Sequence, residues 1–133
     1  VTYVIAYVTT TLAFFALDLI WLGLIAKTFY RDQLGSLMAD KINFPIATGF
    51  YAVYTIGIVI FAVVPALKLQ DWQHAMLYGA LFGFFAYATY DLTNMATLRD
   101  WPVKMSLADM AWGTVLTSST ATIGFLVTRA LTS

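Results

Sequence analysis

Four long apolar stretches, separated by short polar punctuation, account for most of the chain. A hydrocarbon core roughly 30 Å thick is crossed by about 20 residues of α-helix. Residues 3–26, 45–67, 74–98 and 106–129 each reach that length. The first stretch is closed by Lys27, the third by Arg99, and the fourth ends near Arg129. The second opens on Pro45, which suits a first helical turn, and carries Pro65 near its end. Between the first and second, Phe29, Leu34, Leu37, Met38 and Ile42 recur at near-helical spacing among Arg31, Asp32, Asp40 and Lys41. That spacing predicts a short amphipathic helix over residues 29–42, lying at a membrane interface. The other two connections are tight, so consecutive helices are expected to be antiparallel neighbours. The expected fold is all-α: an integral membrane four-helix bundle with residues 1–133 as a single transmembrane domain.

Composition agrees with that pattern. The chain is 61% hydrophobic and 11% charged, with a mean hydropathy of +0.79, outside the range of soluble domains. Seven Lys and Arg balance seven acids, all Asp, so no basic excess points to nucleic acid. The chain has no Cys, which removes disulfides, thiolate nucleophiles and Cys-ligated metals. The single His, His74, fits an interfacial position at the start of the third stretch better than a metal site, and no metal is expected. The first stretch is too long for a signal peptide and lacks a charged start and a small-residue cleavage site, so it reads as a retained helix. Lys27, Arg31, Lys41, Arg99 and Lys104 lie on one face of the expected bundle, against Lys68 and Arg129 on the other. The positive-inside rule then puts the first face in the cytoplasm and both termini in the periplasm of a bacterial inner membrane. Trp72 and Trp101 fall at segment ends, where aromatic belts form.

Against this background the polar residues stand out. Asp18, Asp91 and Asp109 lie inside the apolar stretches. At a rise of about 1.5 Å per residue, Asp18 lies roughly 13 Å from Lys27, Asp91 roughly 12 Å from Arg99, and Asp109 roughly 4 to 5 Å inside Ser106. All three therefore share one leaflet, on the cytoplasmic side. No Lys or Arg occurs at their depth, and an ionisable group inside a membrane costs at least about 2.5 to 3.5 kcal/mol, so it normally faces the bundle. Helical spacing groups Tyr87, Asp91 and Asn94 on one face, with Tyr90, Thr93 and Thr97 beside it. Asp18 aligns with Trp21, and Asp109 with Trp112; both pairs read Asp-x-x-Trp. If Asp18 approaches Asp91, the two can share a proton, act as acid and base, or bind a cationic or hydroxyl-bearing ligand. A structural reading stands beside this one: each acid can serve as a hydrogen-bond partner that ties helices together. For Asp109 that reading is a capping box, Ser106-Leu-Ala-Asp109, at a helix start.

Gly79-x-x-x-Gly83 reads as a close-packing face inside the bundle. The run "TVLTSSTATIG" reads as a tightly packed helix whose hydroxyls bond back to their own backbone. P-loops, dinucleotide fingerprints, HExxH and serine-nucleophile elbows do not occur.

The blocks "FALDLIWLG", "FYRDQLGSLM", "GFFAYATYDLTNMATLRDWP" and "SLADMAWGT" together resemble a domain-of-unknown-function family of small bacterial inner-membrane proteins. The resemblance spans nearly the whole chain, its most specific block running from Tyr90 to Pro102. It implies a four-helix membrane protein and carries no catalytic assignment.

Three function classes remain open from the sequence. The first is a pocket for a membrane lipid or other amphiphile, anchored by Asp18 and Asp91 and lined by Trp21, Tyr87, Tyr90 and Asn94, with Asp109 close by. Its enzymatic version would use a protonated Asp as general acid. The second is an accessory subunit of a larger membrane complex. The third is a proton-coupled small transporter, which would be a homodimer. The sequence names no cofactor.

Overall fold

The computed structural model describes residues 1–133. It is 86% helical and contains no strand. Helix α1 runs over Thr2–Ile25, with a wide π-type turn at Trp21–Ile25. The short helix α2 covers Phe29–Leu34 and is followed by one 3-10 turn, Gly35–Leu37. Three further helices follow: α3 over Phe44–Leu69, α4 over Trp72–Thr97, and α5 over Val103–Thr132. Three of these, α1, α3 and α5, are long and apolar enough to cross a membrane. Helix α4 has 26 residues and carries Gln73, His74, Asp91 and Asn94.

Local chemistry explains where the elements begin and end. The Asn43 side chain accepts from the Ile46 amide at 3.1 Å, and Pro45 occupies the first turn of α3, where its missing N–H costs nothing. The Asp71 side chain accepts from the Gln73 amide at 3.0 Å, so α4 starts at Trp72 rather than at His74. The helix expected over residues 29–42 stops early. Gly35 has φ +54°, a region that side-chain-bearing residues rarely adopt, and the chain leaves the α-helix there. After Leu37 the backbone is irregular up to Asn43.

Pro65 does not end α3. Its ring would crowd the carbonyl four residues back, and immediately before it Val59–Val63 forms a π-type turn in which the Val64 amide bonds to the Val59 carbonyl. This looser winding lets the helix run on to Leu69.

The core forms around α5, which packs most extensively against α4 and next against α1. Helix α1 contributes a stripe of buried residues four apart: Ala6, Thr10, Phe14 and Asp18. Helix α3 joins through its second half, where Ile58, Ala62, Val63 and Ala66 are fully buried. The α4–α5 contact is close because Gly79 and Gly83 face α5. A Cβ on Gly79 would lie 2.8 Å from Ala121 Cβ, and one on Gly83 would lie 2.6 Å from Thr117 Cβ and collide with the Gly113 carbonyl. The Gly-x-x-x-Gly pair is thus used for packing within the chain. In α5, Thr114 and Thr122 donate to their own helix, whereas Ser118 donates to the Met76 carbonyl of α4 at 2.8 Å.

Gly83→Ala is expected to destabilise the protein by about 1–3 kcal/mol through overpacking. Gly49→Ala, where an added Cβ meets nothing within 4 Å, should leave stability unchanged or slightly raised. Thermal unfolding of both variants in detergent checks the contrast.

Candidate functional site

The acids expected to cluster do so at one end of the molecule, though in a different pairing. Asp18 on α1 is 5% exposed and both its oxygens are occupied. The Tyr51 hydroxyl of α3 donates to Oδ2, and Trp112 Nε1 of α5 donates to Oδ1 at 3.0 Å. One carboxylate therefore ties three helices, which is the structural role that sequence reasoning held as its alternative. The charge sits between two donors, which is how a buried carboxylate is made tolerable.

Asp109 is not a helix cap. Helix α5 begins at Val103, after Pro102, so Asp109 lies nearly two turns inside it. Ser106 instead donates back to the Pro102 carbonyl at 2.8 Å. The Asp109 Oδ1 accepts from the Tyr30 hydroxyl at 2.8 Å, and that hydroxyl accepts from Trp21 Nε1 at 3.0 Å. Burial, followed by the adjacent Asp109 carboxylate, pushes the Tyr30 phenol well above its ordinary range, so it remains a neutral donor at physiological pH.

The two Asp-x-x-Trp segments are linked crosswise. Trp21 and Trp112 stack face to face, with centroids 4.6 Å apart and planes 9° from parallel. Each indole N–H serves the acid of the other helix: Trp112 reaches Asp18 directly, and Trp21 reaches Asp109 through Tyr30.

Asp91 on α4 is completely enclosed, and apart from the neighbouring Asp109 carboxyl neither of its oxygens has a hydrogen-bond partner. The charged neighbour acting on it is Asp109, not Asp18. The expected Asp18–Asp91 pair is thus replaced by an Asp91–Asp109 pair, with Asp18 fully engaged elsewhere. Asn94, one turn further along α4, is half-buried and its side chain makes no hydrogen bond.

Several of these groups border a hollow of about 800 Å³. Asp18, Asp109 and Trp112 lie along one side of it, and Tyr30, Leu34 and Met38 contribute from α2 and the segment after it. Phe50, Tyr51 and Tyr54 of α3 and Phe82, Ala86, Tyr87 and Tyr90 of α4 form opposing walls. The hollow exists because the backbones of α3 and α4 meet from Val59 onward and part before it, where side chains such as Tyr54, stacked on Phe82 at 5.3 Å, bridge the gap. Phe50 and Tyr90, 54% and 53% exposed, stand on the two walls, so the opening between α3 and α4 faces outward and is largely apolar. Tyr87 is held in its wall by packing its ring against Gly113, where a Cβ would collide with it. The Tyr54 hydroxyl pairs with Thr117 Oγ1 at 2.8 Å.

Of the residues singled out in the sequence, Asp18, Asp109, Tyr87 and Tyr90 line the hollow. Trp21 joins through Tyr30, whereas Asp91 and Asn94 do not reach the lining. Tyr30, Tyr51 and Tyr54 were not anticipated. The available signal was the presence of phenols in segments otherwise built for lipid contact.

Residues 3–126 match the family model described as "Predicted membrane protein (DUF2177)". Among curated proteins and among solved structures, nothing matches the chain.

Trp112→Phe keeps an aromatic ring against Trp21 but removes the donor to Asp18, and is expected to cost about 1–3 kcal/mol. In an Asp18→Leu background the same change should cost little. A double-mutant cycle by thermal unfolding should therefore give a coupling above about 1 kcal/mol.

Proposed function

The chain belongs to the DUF2177 family of predicted membrane proteins, and from that premise we propose that it is a four-span protein of the bacterial inner membrane whose hollow binds an amphiphile. Three spans are long and apolar enough by themselves. Helix α4 joins the end of one to the start of another through tight turns, and its 26 residues reach about 39 Å. A helix that connects two crossing helices in this way crosses too, giving a four-helix bundle. Its polar residue Asp91 is turned inward. Helix α2 fits the interface: Arg31 and Asp32 are exposed, while Tyr30 and Leu34 face the hollow. The basic residues Lys27, Arg31, Lys41, Arg99 and Lys104 put this end in the cytoplasm and both ends of the chain on the periplasmic side.

One observation carries the binding reading. Carboxyl and phenol groups are gathered along the inside of a hollow whose opening, between α3 and α4, faces the lipid-contacting surface. A lipid can enter sideways, place its polar head among Asp109, Tyr30 and Tyr87, and leave its chain against Phe50 and Phe82. Asp18 holds the helices that shape the hollow, and Asp109 is the acid positioned to meet the head.

Two measurements test this. Because the chain has no Cys, single cysteines report sidedness directly. Ser36→Cys is expected to react with an impermeant maleimide only from the cytoplasmic side and Gln70→Cys only from the other; the reverse pattern refutes the orientation. Ala86→Trp fills the hollow without touching the acids and should lower lipid retention in detergent at least about tenfold. Unchanged retention in that variant would exclude the hollow as the binding site.

A further inference from the structure

We infer that the head group held in the hollow is a primary ammonium. This rests on the amphiphile reading above and specifies its chemistry.

The first argument is charge. Asp18 and Asp109 line the hollow, and no Lys, Arg or His does. Asp91, completely enclosed, stands beside Asp109 and adds a further acid to the same corner. A phosphoglycerol head would bring a net negative charge to these carboxyls with no cation to meet it, whereas a phosphoethanolamine head carries its own ammonium. A cation compensates them, and its binding lets neighbouring acids ionise together.

The second argument is the wall. Eight aromatic rings line the hollow, among them Tyr30, Tyr51, Tyr54, Tyr87, Tyr90 and Trp112. Ring faces attract cations, most strongly where water is excluded. They offer nothing comparable to an anion.

The third argument is donor arithmetic, and it selects among cations. Asp91 is sealed from the hollow, so the acceptor open to a guest is Asp109, whose Oδ1 takes the Tyr30 hydrogen bond while its Oδ2 takes none. Tyr30 cannot supply more, because its single proton is already committed. A primary ammonium brings three N–H donors to this corner. A quaternary ammonium would suit the rings but bring no donor. The chemistry therefore fits an ethanolamine-type head better than a choline-type one, and either better than a glycerol-type one.

The test uses the full chain, stripped of lipid in detergent and offered an equimolar mixture of phosphatidylethanolamine, phosphatidylcholine and phosphatidylglycerol with identical acyl chains. Bound lipid is read by native mass spectrometry. Phosphatidylethanolamine should be retained at least about tenfold over phosphatidylglycerol, with phosphatidylcholine between them. Asp109→Asn should bring the first ratio to within about twofold while the number of lipids bound stays the same. If that variant does not fold, the wild-type competition decides alone. Free ethanolamine distinguishes the source of the ammonium: displacement of lipid at millimolar concentration means that the head alone suffices, whereas ethanolamine preference without displacement means that the chain contributes. Equal retention of phosphatidylethanolamine and phosphatidylglycerol, or a preference for phosphatidylcholine, overturns the inference and leaves the amphiphile reading standing. Retention of no lipid overturns both.

Discussion

The architecture depends on a single buried carboxylate. Asp18 accepts from Tyr51 on α3 and from Trp112 on α5, so three helices meet at one charge. In a medium without water an unpaired carboxylate is costly and a paired one is a strong tie. Because the two donors come from different helices, the pairing fixes their separation as well as their contact. It also fixes the face of Trp112 against which Trp21 stacks, and through Trp21 the position of Tyr30. The short helix α2 is thereby docked on the bundle through a relay that begins with Asp18's own helix.

At the far end the molecule is closed by small residues. Gly79 and Gly83 bring α4 against α5 so tightly that a methyl group on either would collide. At the acid end α4 meets phenol and indole rings instead, and α3 diverges from it. The hollow lies at the end where large side chains, not small ones, stand between the helices.

Much of this was legible in the sequence. The helical stretches, the inward Asp residues, the shared level of the three acids and the close-packing glycines follow from periodicity, rise per residue and the cost of polar groups in lipid. What was not legible had specific causes. Depth along an axis gives the level of Asp18 and Asp91 but not which helices are neighbours, and α5, not α4, supplies the direct partner of Asp18. Ser106-Leu-Ala-Asp109 has the spacing of a capping box, but Pro102 starts the helix earlier and leaves the motif inside it. The helix expected to reach residue 42 depended on apolar spacing alone, whereas Gly35 at positive φ ends it. Tyr30 and Tyr51 matter because of the acids they reach, which sequence spacing cannot show.

The π-type turn before Pro65 has an effect beyond tolerating the proline. An extra residue in one turn rotates everything on one side of it by about 100° relative to the other. Helix α3 is therefore two helices out of phase. Ala66, on the far side of the turn, is buried in the core, while Phe50, Tyr51 and Tyr54, on the near side, face the hollow. The turn thus lets one continuous helix bury Ala62 within it and Ala66 beyond it and still turn Phe50 and Tyr51 toward the hollow before it.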